Sequence, residues 1–319
     1  MNGELARLSH GLLLPLVFGV AATEVTALPP GGDTHLQRAF AIIENDYAGL
    51  CSSTATQEAF EATIAELADE TRAGLPPGPA GPASVETLNR LVFGRQDIRS
   101  SGDLRDPCNL FPSRVLDRKQ GYCVGIAALY LLLAERLDLP IYAVATPSHV
   151  FLRYDDGRTR INIEAQQGGA NIPDEQYIRE QKIPEESIRR GVFMRNLTTE
   201  EFLAQVHNNL GVVYSEMKEY DAAAKDYEAA LELDPRLPVA LYNWGNDLLR
   251  EGQHGKAIRR FSKSLRLYPT DVWALNNRGL GYVKIGKPKK ARRDFEEALR
   301  IDPAFEQARR NLEGIRAPP

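Results

Sequence analysis

Residues 121–134 have the sequence GYCVGIAALYLLLA, and the part after Cys123 is almost wholly apolar. A helix that is apolar on all sides packs inside a core rather than on a surface, and Pro140 ends it. Cys123 lies at the predicted start of this helix, where free backbone N–H groups and the positive helix end stabilise a thiolate. A thiolate is a nucleophile, although most cysteines are simply small buried hydrophobic residues.

A nucleophilic cysteine needs a base, and His149 is the candidate. It lies in the same predicted core as Cys123, at the start of a strand-like run over 149–154. The other four histidines lie in the N-terminal segment or in the C-terminal third: His10, His35, His207 and His254.

The run that begins at His149 is followed by Asp156-Gly157 and a second strand-like run over 159–165. Asp-Gly is a strong signal for a two-residue hairpin turn. A turn at these two residues predicts that Asp155 opposes Arg158 and that the register continues from there along both strands.

In that register His149 opposes Glu164, and directly opposed side chains share one face of the sheet. A carboxylate there would orient the imidazole and stabilise its charged form. A one-residue slip would move Glu164 to the other face. Asn162 shares the predicted face and is the second candidate for orienting His149. An ordinary cross-strand pair, without catalysis, is the alternative.

The C-terminal third contains an internal repeat with a period of 34 residues, the kind of period that should be sought before any local assignment. Four columns keep this period: Gly211, Gly245 and Gly279; Ala223, Ala257 and Ala291; Tyr227, Phe261 and Phe295; Pro235, Pro269 and Pro303. The pattern resembles the tetratricopeptide repeat, a pair of helices. It predicts three units over 204–237, 238–271 and 272–305, with residues 305–315 as a polar capping helix.

Asparagines occupy one helix position in all three units, Asn209, Asn243 and Asn277. Such a row could hydrogen-bond an extended peptide, although asparagine is also common in the first helix of this family. Asn208, Asn246 and Asn276 lie nearby. A basic cluster over 284–293 suggests a solvated turn or a contact with an acidic partner. No aromatic residues interleave with it, so binding of nucleic acid is not predicted.

Charge and cysteine content narrow the class of protein further. The formal net charge is -4, which argues against binding of nucleic acid driven by bulk charge. Residues 203–319 hold 20 Lys and Arg against 16 Asp and Glu, so the acidic excess lies in the first 202 residues. Three cysteines exclude a disulfide scaffold and a four-thiolate zinc site. Cys51 and Cys108 could pair in an oxidising compartment.

The N-terminus has the pattern of a secretory signal over 1–27. The apolar run 11–22 is shorter than the roughly 20 residues that span a bilayer, and small residues suggest cleavage after Ala22 or Ala27. An N-terminal core helix or a disordered tail is the alternative. The signal predicts export to the periplasm or outside the cell, and without it the chain would be cytoplasmic. No other segment is long enough to cross a membrane.

The remaining elements are assigned from periodicity and breakers. Helices are predicted near 35–49 and 55–74, a loop over 75–82, and a further helix led by Ser84. Strands are predicted over 141–145, 150–154 and 160–163.

Residues 109–157 and the following INIEAQQGG resemble the transglutaminase-like superfamily, in the branch where the core precedes tetratricopeptide repeats. The resemblance covers roughly 35–195 and 204–316. Its motifs are Gly121-x-Cys123, Leu-Ala-Glu-Arg-Leu at 133–137, Pro147-x-His149 and Asn162-x-Glu164. It implies an α+β papain-like core over 28–200 and an all-α repeat array over 201–319. It also implies Cys123 as nucleophile, His149 as base and Glu164 as orienting acid.

These features predict a thiol acyl-transfer enzyme of the cysteine peptidase or transglutaminase kind. The Cys123 backbone N–H, with Gln120 as a second donor, would stabilise the oxyanion. Water as acceptor gives hydrolysis and an amine gives cross-linking. The repeats would bind a protein or peptide, and no cofactor or metal is predicted. The alternatives are a non-catalytic adaptor whose core is a scaffold, and a zinc site formed by Cys123, His149 and Glu164.

Overall fold

The computed structural model describes residues 34–51 and 56–315. Within these ranges an α+β core is followed by an all-helical array, which confirms the predicted fold class. The predicted signal over 1–27 lies outside the described residues. No helix in the described ranges is both long and apolar enough to cross a membrane.

The core combines seven helices with five short strands. The helices are α1 (His35–Asp46), α2 (Gln57–Gly74), α3 (Pro82–Asn89), α4 (Pro112–Arg118), α5 (Cys123–Arg136), α6 (Asp174–Glu180) and α7 (Glu185–Arg189). The strands are β1 (Arg99–Ser100), β2 (Gln120–Gly121), β3 (Ile141–Ala145), β4 (Val150–Asp155) and β5 (Arg160–Ile163). A π-helical turn continues α3, and 3₁₀ turns occupy Pro107–Leu110 and Ala165–Gln167.

Helix α5 is the centre of the core. Its residues from Cys123 to Ala134 are all buried, as the apolar sequence predicted. The antiparallel sheet β3-β4-β5 packs on it, and so do α2 and α4. The helix that was expected to be led by Ser84 begins two residues earlier, at Pro82. Ser84 instead caps it from the third position, because the Gly81 N–H donates to its hydroxyl at 3.3 Å.

The predicted hairpin register is wrong by two residues. Asp155 pairs with Arg160 rather than with Arg158, so the connection has four residues instead of two. The Asp156 carboxylate explains the longer loop, since it accepts hydrogen bonds from the backbone N–H groups of Arg158 at 2.8 Å and Thr159 at 2.6 Å. An aspartate side chain that folds back on its own loop stabilises a turn that the Asp-Gly signal alone does not specify.

The same shift means that His149 does not directly oppose Glu164. His149 lies just before β4 and Glu164 just after β5. A shift of two residues keeps every side chain on its original face, whereas a shift of one would not. Glu164 therefore still lies on the face that carries His149, on a diagonal rather than directly opposite.

Seven helices form the repeat array. They are α8 (Thr199–Glu216), α9 (Tyr220–Leu233), α10 (Pro238–Arg250), α11 (His254–Leu267), α12 (Val272–Lys284), α13 (Pro288–Ile301) and α14 (Glu306–Gly314). The glycine and aromatic positions that recur every 34 residues are in contact with each other. A Cβ on Gly211 would lie 2.6 Å from the Tyr227 ring, and one on Gly245 would lie 2.7 Å from the Phe261 ring. Glycine in the first helix of each pair thus leaves room for the aromatic ring of the second.

The array is joined to the core through α8. Phe202, Leu203 and Val206 are buried in the same apolar cluster as the residues of α5. Phe202 also contacts Phe40 of α1, with ring centroids 6.4 Å apart. The Tyr47 hydroxyl beyond α1 donates to Asp226 of α9. The first repeat is therefore part of the hydrophobic core and cannot move independently of it.

Cys51 and Cys108 form a disulfide that joins the segment after α1 to the 3₁₀ turn at Pro107–Leu110. Cys123 is free and buried.

Gly125→Ala is expected to destabilise the chain by about 1–3 kcal/mol, the usual cost of overpacking. A Cβ at Gly125 would overlap the Asn109 carbonyl oxygen and lie 3.0 Å from the Asn109 carbonyl carbon. Because the Asn109 carbonyl belongs to the backbone and not to a flexible side chain, α5 itself would have to shift. The midpoint of urea unfolding measures the loss.

Gly255→Ala is the matched control, since nothing lies within 4 Å of a Cβ at that helical glycine. Alanine there is expected to leave stability unchanged or raise it by up to about 1 kcal/mol. Equal unfolding midpoints for the two variants would contradict the close packing of α5 on the Asn109 segment.

Candidate active site

Cys123 is the first residue of α5, and three backbone contacts fix the segment before it. The Tyr122 N–H donates to the Asn109 carbonyl at 2.9 Å, and the Ser101 N–H donates to the Gly121 carbonyl at 2.9 Å. β2 also pairs in parallel with β1. The thiol is therefore placed at the N-terminal end of a helix whose position is set by the core. Cys123 is 2% exposed.

His149 is held by its own backbone turn. Both the backbone N–H and the hydroxyl of Thr146 donate to the His149 carbonyl, at 2.8 and 3.0 Å. The next turn residue, Ser148, donates to Gln181 at 3.0 Å. The imidazole is mostly buried, with 13% of the side chain exposed.

The His149 imidazole and the Glu164 carboxylate are in direct contact. The Nε2 atom lies 2.8 Å from one carboxylate oxygen and 3.0 Å from the other. Glu164 is 2% exposed and has two further donors. The Tyr177 hydroxyl donates at 2.6 Å and the Gln166 N–H at 2.9 Å. A buried carboxylate with this many donors is held in one orientation.

Tyr177 was not identified from the sequence. It lies in α6, and its ring stacks on Phe151 of β4 with centroids 4.3 Å apart. Its hydroxyl thereby reaches the Glu164 oxygen that also lies 2.8 Å from His149 Nε2. No local pattern predicts this contact, because α6 follows an irregular segment whose path the sequence does not specify.

Protonation of His149 is opposed by burial and favoured by two partners. Hydrogen bonds to Cys123 and Glu164, and the charges of both groups, outweigh burial and raise its pKa to about 9. Burial also acts on Glu164, but the hydrogen bond and charge of His149, with Tyr177 and Gln166, lower the pKa of its carboxyl. The imidazole is thus charged at neutral pH, with Cys123 and Glu164 as the two groups that favour its charged form.

Asn162 and Gln120 do not lie in this chain of contacts. Asn162 accepts from the buried Arg153 at 2.8 Å and donates to Asp174 at 2.6 Å and to the Ile172 carbonyl at 2.7 Å. Its amide is therefore engaged away from His149. Gln120 lies in β2 and does not line the pocket at the thiol.

A pocket of about 210 Å³ opens at Cys123 and His149, and the repeats supply much of its wall. The repeat residues that line it come from α8 and α10: Gln205, Asn208, Asn209, Val212, Val239 and Asn243. Two of the three predicted peptide-binding asparagines, Asn209 and Asn243, thus lie beside the thiol. Asn277 does not line this pocket and donates to Asn246 at 2.8 Å.

Within the described ranges, no group of three His, Cys, Asp or Glu side chains is arranged to hold a metal ion.

The titration of His149 tests this arrangement. Its imidazole is expected to show a pKa of about 9 by NMR. Glu164→Gln and Cys123→Ala, which each remove one partner, are expected to lower the pKa toward the ordinary value of about 6.5. Glu180→Gln is the control, because Glu180 is exposed and bonded to Gln176. A pKa near the ordinary value in the unmodified chain would contradict the arrangement.

Comparisons with known proteins agree with this architecture. A family model described as the transglutaminase-like superfamily matches residues 58–209. Two tetratricopeptide repeat models match residues 204–237 and 236–304.

Curated relatives include UPF0162 proteins from the Temecula1 and 9a5c strains of Xylella fastidiosa. Each is 24% identical to the chain over 256 residues, which is 77% of this chain and 86% of the relative.

Similar solved structures include the first tetratricopeptide domain of Spaghetti (RPAP3) bound to an HSP90 peptide. It is 25% identical over 35% of this chain and 90% of that chain, with a TM-score of 0.35. Pseudomonas aeruginosa pilF is 27% identical over 35% of this chain and 51% of that chain, with a TM-score of 0.34. Residues 58–209 are thus similar to the transglutaminase-like superfamily, and matches to tetratricopeptide repeats follow over residues 204–304.

Proposed function

We propose that the chain is a thiol acyl-transfer enzyme in which Cys123 is the nucleophile, His149 the acid and base, and Glu164 the group that positions His149. The observation that carries the proposal is the His149 imidazole, which shares the wall of one pocket with Cys123 and lies 2.8 Å from the Glu164 carboxylate. Both groups raise its pKa. This is the nucleophile, base and orienting-group relation of acyl-transfer enzymes.

In the first step the Cys123 sulfur attacks an acyl carbonyl and forms a carbon–sulfur bond. The proton from the sulfur resides on His149 before the attack, since the imidazole is charged at neutral pH, and His149 delivers it to the leaving amine as the carbon–nitrogen bond breaks. The product is a thioester on Cys123. In the second step His149 takes a proton from water or from an acceptor amine, which attacks the thioester carbonyl. The carbon–sulfur bond breaks, and the Cys123 sulfur is released beside the recharged His149. Water yields an acid, and an amine yields a new amide bond.

The start of α5 can stabilise the negative charge that develops on the carbonyl oxygen. The first N–H groups of a helix have no acceptor within it, and the helix dipole is positive at that end. The Cys123 N–H therefore serves as an oxyanion donor in the proposed mechanism. A second donor from Gln120 has no support in the geometry, since Gln120 does not line the pocket.

The substrate in this proposal is a protein or peptide. Its support is the presence of tetratricopeptide repeats, a protein-interaction module, and the position of the first two repeats at the thiol pocket. We also propose that the chain works in an oxidising compartment. The Cys51–Cys108 disulfide supports this, because such bonds persist outside the cytosol.

The rate of Cys123 alkylation by iodoacetamide at pH 7 tests the proposal. Cys123 is the one free thiol beside the disulfide, so mass spectrometry should find a single label per chain under non-reducing conditions. The rate should exceed that of glutathione, and His149→Ala should lower it by about tenfold or more, since an ordinary thiol is only a few per cent ionised at this pH.

His207→Ala is the matched control. His207 also pairs with a buried carboxylate, that of Asp226 at 2.9 Å, but it does not line the thiol pocket. Its replacement should leave the alkylation rate unchanged. If Cys123 reacted no faster than glutathione and His149→Ala had no effect, the core would act as a scaffold only.

A further inference from the structure

We propose that the repeats are part of the active site. In this view Asn243, Asn208 and Asn209 form one wall of the acyl-donor site, and they hold a peptide group of an extended polypeptide beside Cys123. The inference rests on the proposed function and deepens it, since it names the substrate class and the residues that position it.

The first support is the direction of the hydrogen bonds among these amides. The Asn243 amide donates to the Asn208 oxygen at 3.0 Å, and the Asn208 amide donates to the Asn209 oxygen at 3.2 Å. The chain of bonds therefore starts with the Asn243 carbonyl oxygen, an acceptor, and ends with the Asn209 NH₂, a donor. Both end residues line the pocket that contains Cys123 and His149.

One donor and one acceptor that line the same pocket match the N–H and carbonyl that a single residue of an extended polypeptide presents on one side. Asn208 is 3% exposed and Asn209 is 9% exposed, so bonds made here are shielded from water and a missing partner is costly. Gln205, 7% exposed, adds another polar side chain to the same wall. A polypeptide is therefore a better fit than an apolar acyl group.

The second support is the rigid placement of this wall. α8 buries Phe202, Val206 and Leu210 in the core that also holds α5, and on the adjoining face of the same helix Asn208 and Asn209 line the thiol pocket. The distance between the thiol and the amides is thus fixed by apolar packing, without a flexible linker. Positioning of this kind is what brings a substrate carbonyl within reach of a nucleophile.

The third support is a larger groove that adjoins the thiol pocket. It has a volume of about 890 Å³ and shares Pro147, Ser148, Val239 and Asn243 with that pocket. From there it extends along the second and third repeats to Trp273, which is 48% exposed. A chain bound in this groove would pass Asn243 before it reached Cys123, so an extended polypeptide can occupy both spaces at once.

Two thiol reagents distinguish this inference from the proposed function. Iodoacetamide carries no peptide group beyond its single amide, whereas acetyl-Ala-Ala chloromethyl ketone presents two peptide groups before the reactive carbon. The quantity to compare is the ratio of their second-order rate constants for Cys123 in the full chain. A substitution that changes only the reactivity of the Cys123 thiol changes both rate constants by the same factor, so it leaves their ratio unchanged.

Asn243→Ala and Asn209→Ala are each expected to lower the ratio at least about fivefold, the size of one lost hydrogen bond. Asn277→Ala is the matched control, because Asn277 occupies the same repeat position but lies outside the thiol pocket. Its ratio should equal that of the unmodified chain.

The inference is overturned if neither Asn243→Ala nor Asn209→Ala lowers the ratio, or if Asn277→Ala lowers it equally. Circular dichroism checks that each variant is folded, and the second asparagine keeps the test informative if one variant is not. A slow iodoacetamide reaction in the unmodified chain would instead count against the proposed function, whatever the ratio shows.

Discussion

Twelve successive residues of α5, from Cys123 to Ala134, are buried. The sheet, the neighbouring helices and the first repeat pack around them, so the position of every other part of the core follows from this helix. Each fully buried aliphatic side chain contributes about 1.5–3 kcal/mol, which makes this packing the main stabilising feature of the core. Because Cys123 is the first residue of the buried helix, the same packing determines where the thiol lies.

The position of the thiol also explains the charge on His149. Cys123 is buried and has little contact with water, and the charged His149 imidazole lines the same pocket. Glu164 holds the imidazole from the other side and is itself held by Tyr177 and Gln166. The carboxylate thus serves to keep a proton on His149, which burial alone would remove. His149 is thus the partner of Cys123, Glu164 orients His149, and Tyr177 and Gln166 orient Glu164.

Much of this could be predicted from the sequence, since local patterns specified the buried helix, the repeat and the pairing of His149 with Glu164. The register was wrong because the Asp156 side chain stabilises a longer loop. Glu164 nevertheless lies on the predicted face of the sheet, because a register shift of two residues keeps each side chain on its face. Tyr177 could not be predicted, because its contact with Glu164 depends on how residues 165–200 fold across the sheet.

The separation into two domains, 28–200 and 201–319, was likewise a prediction from local signals. The structure shows that residues on both sides of this boundary line one pocket. α8 is a repeat helix by periodicity, yet one face of it completes the core and the adjoining face lines the thiol pocket. The same helix thus belongs to the repeat array and to the core. That asparagines of two repeats line the same pocket as Cys123 is visible only in the tertiary structure.

Acylation of Cys123 by p-nitrophenyl acetate tests whether this thiol accepts an acyl group. We expect a burst of about one p-nitrophenolate per chain, because one activated thiol forms one thioester. Peptide mapping should place the acetyl group on Cys123, and hydroxylamine should remove it. Cys123→Ser should abolish the burst. Acetylation confined to lysines, or a burst that persists in Cys123→Ser, would contradict the account.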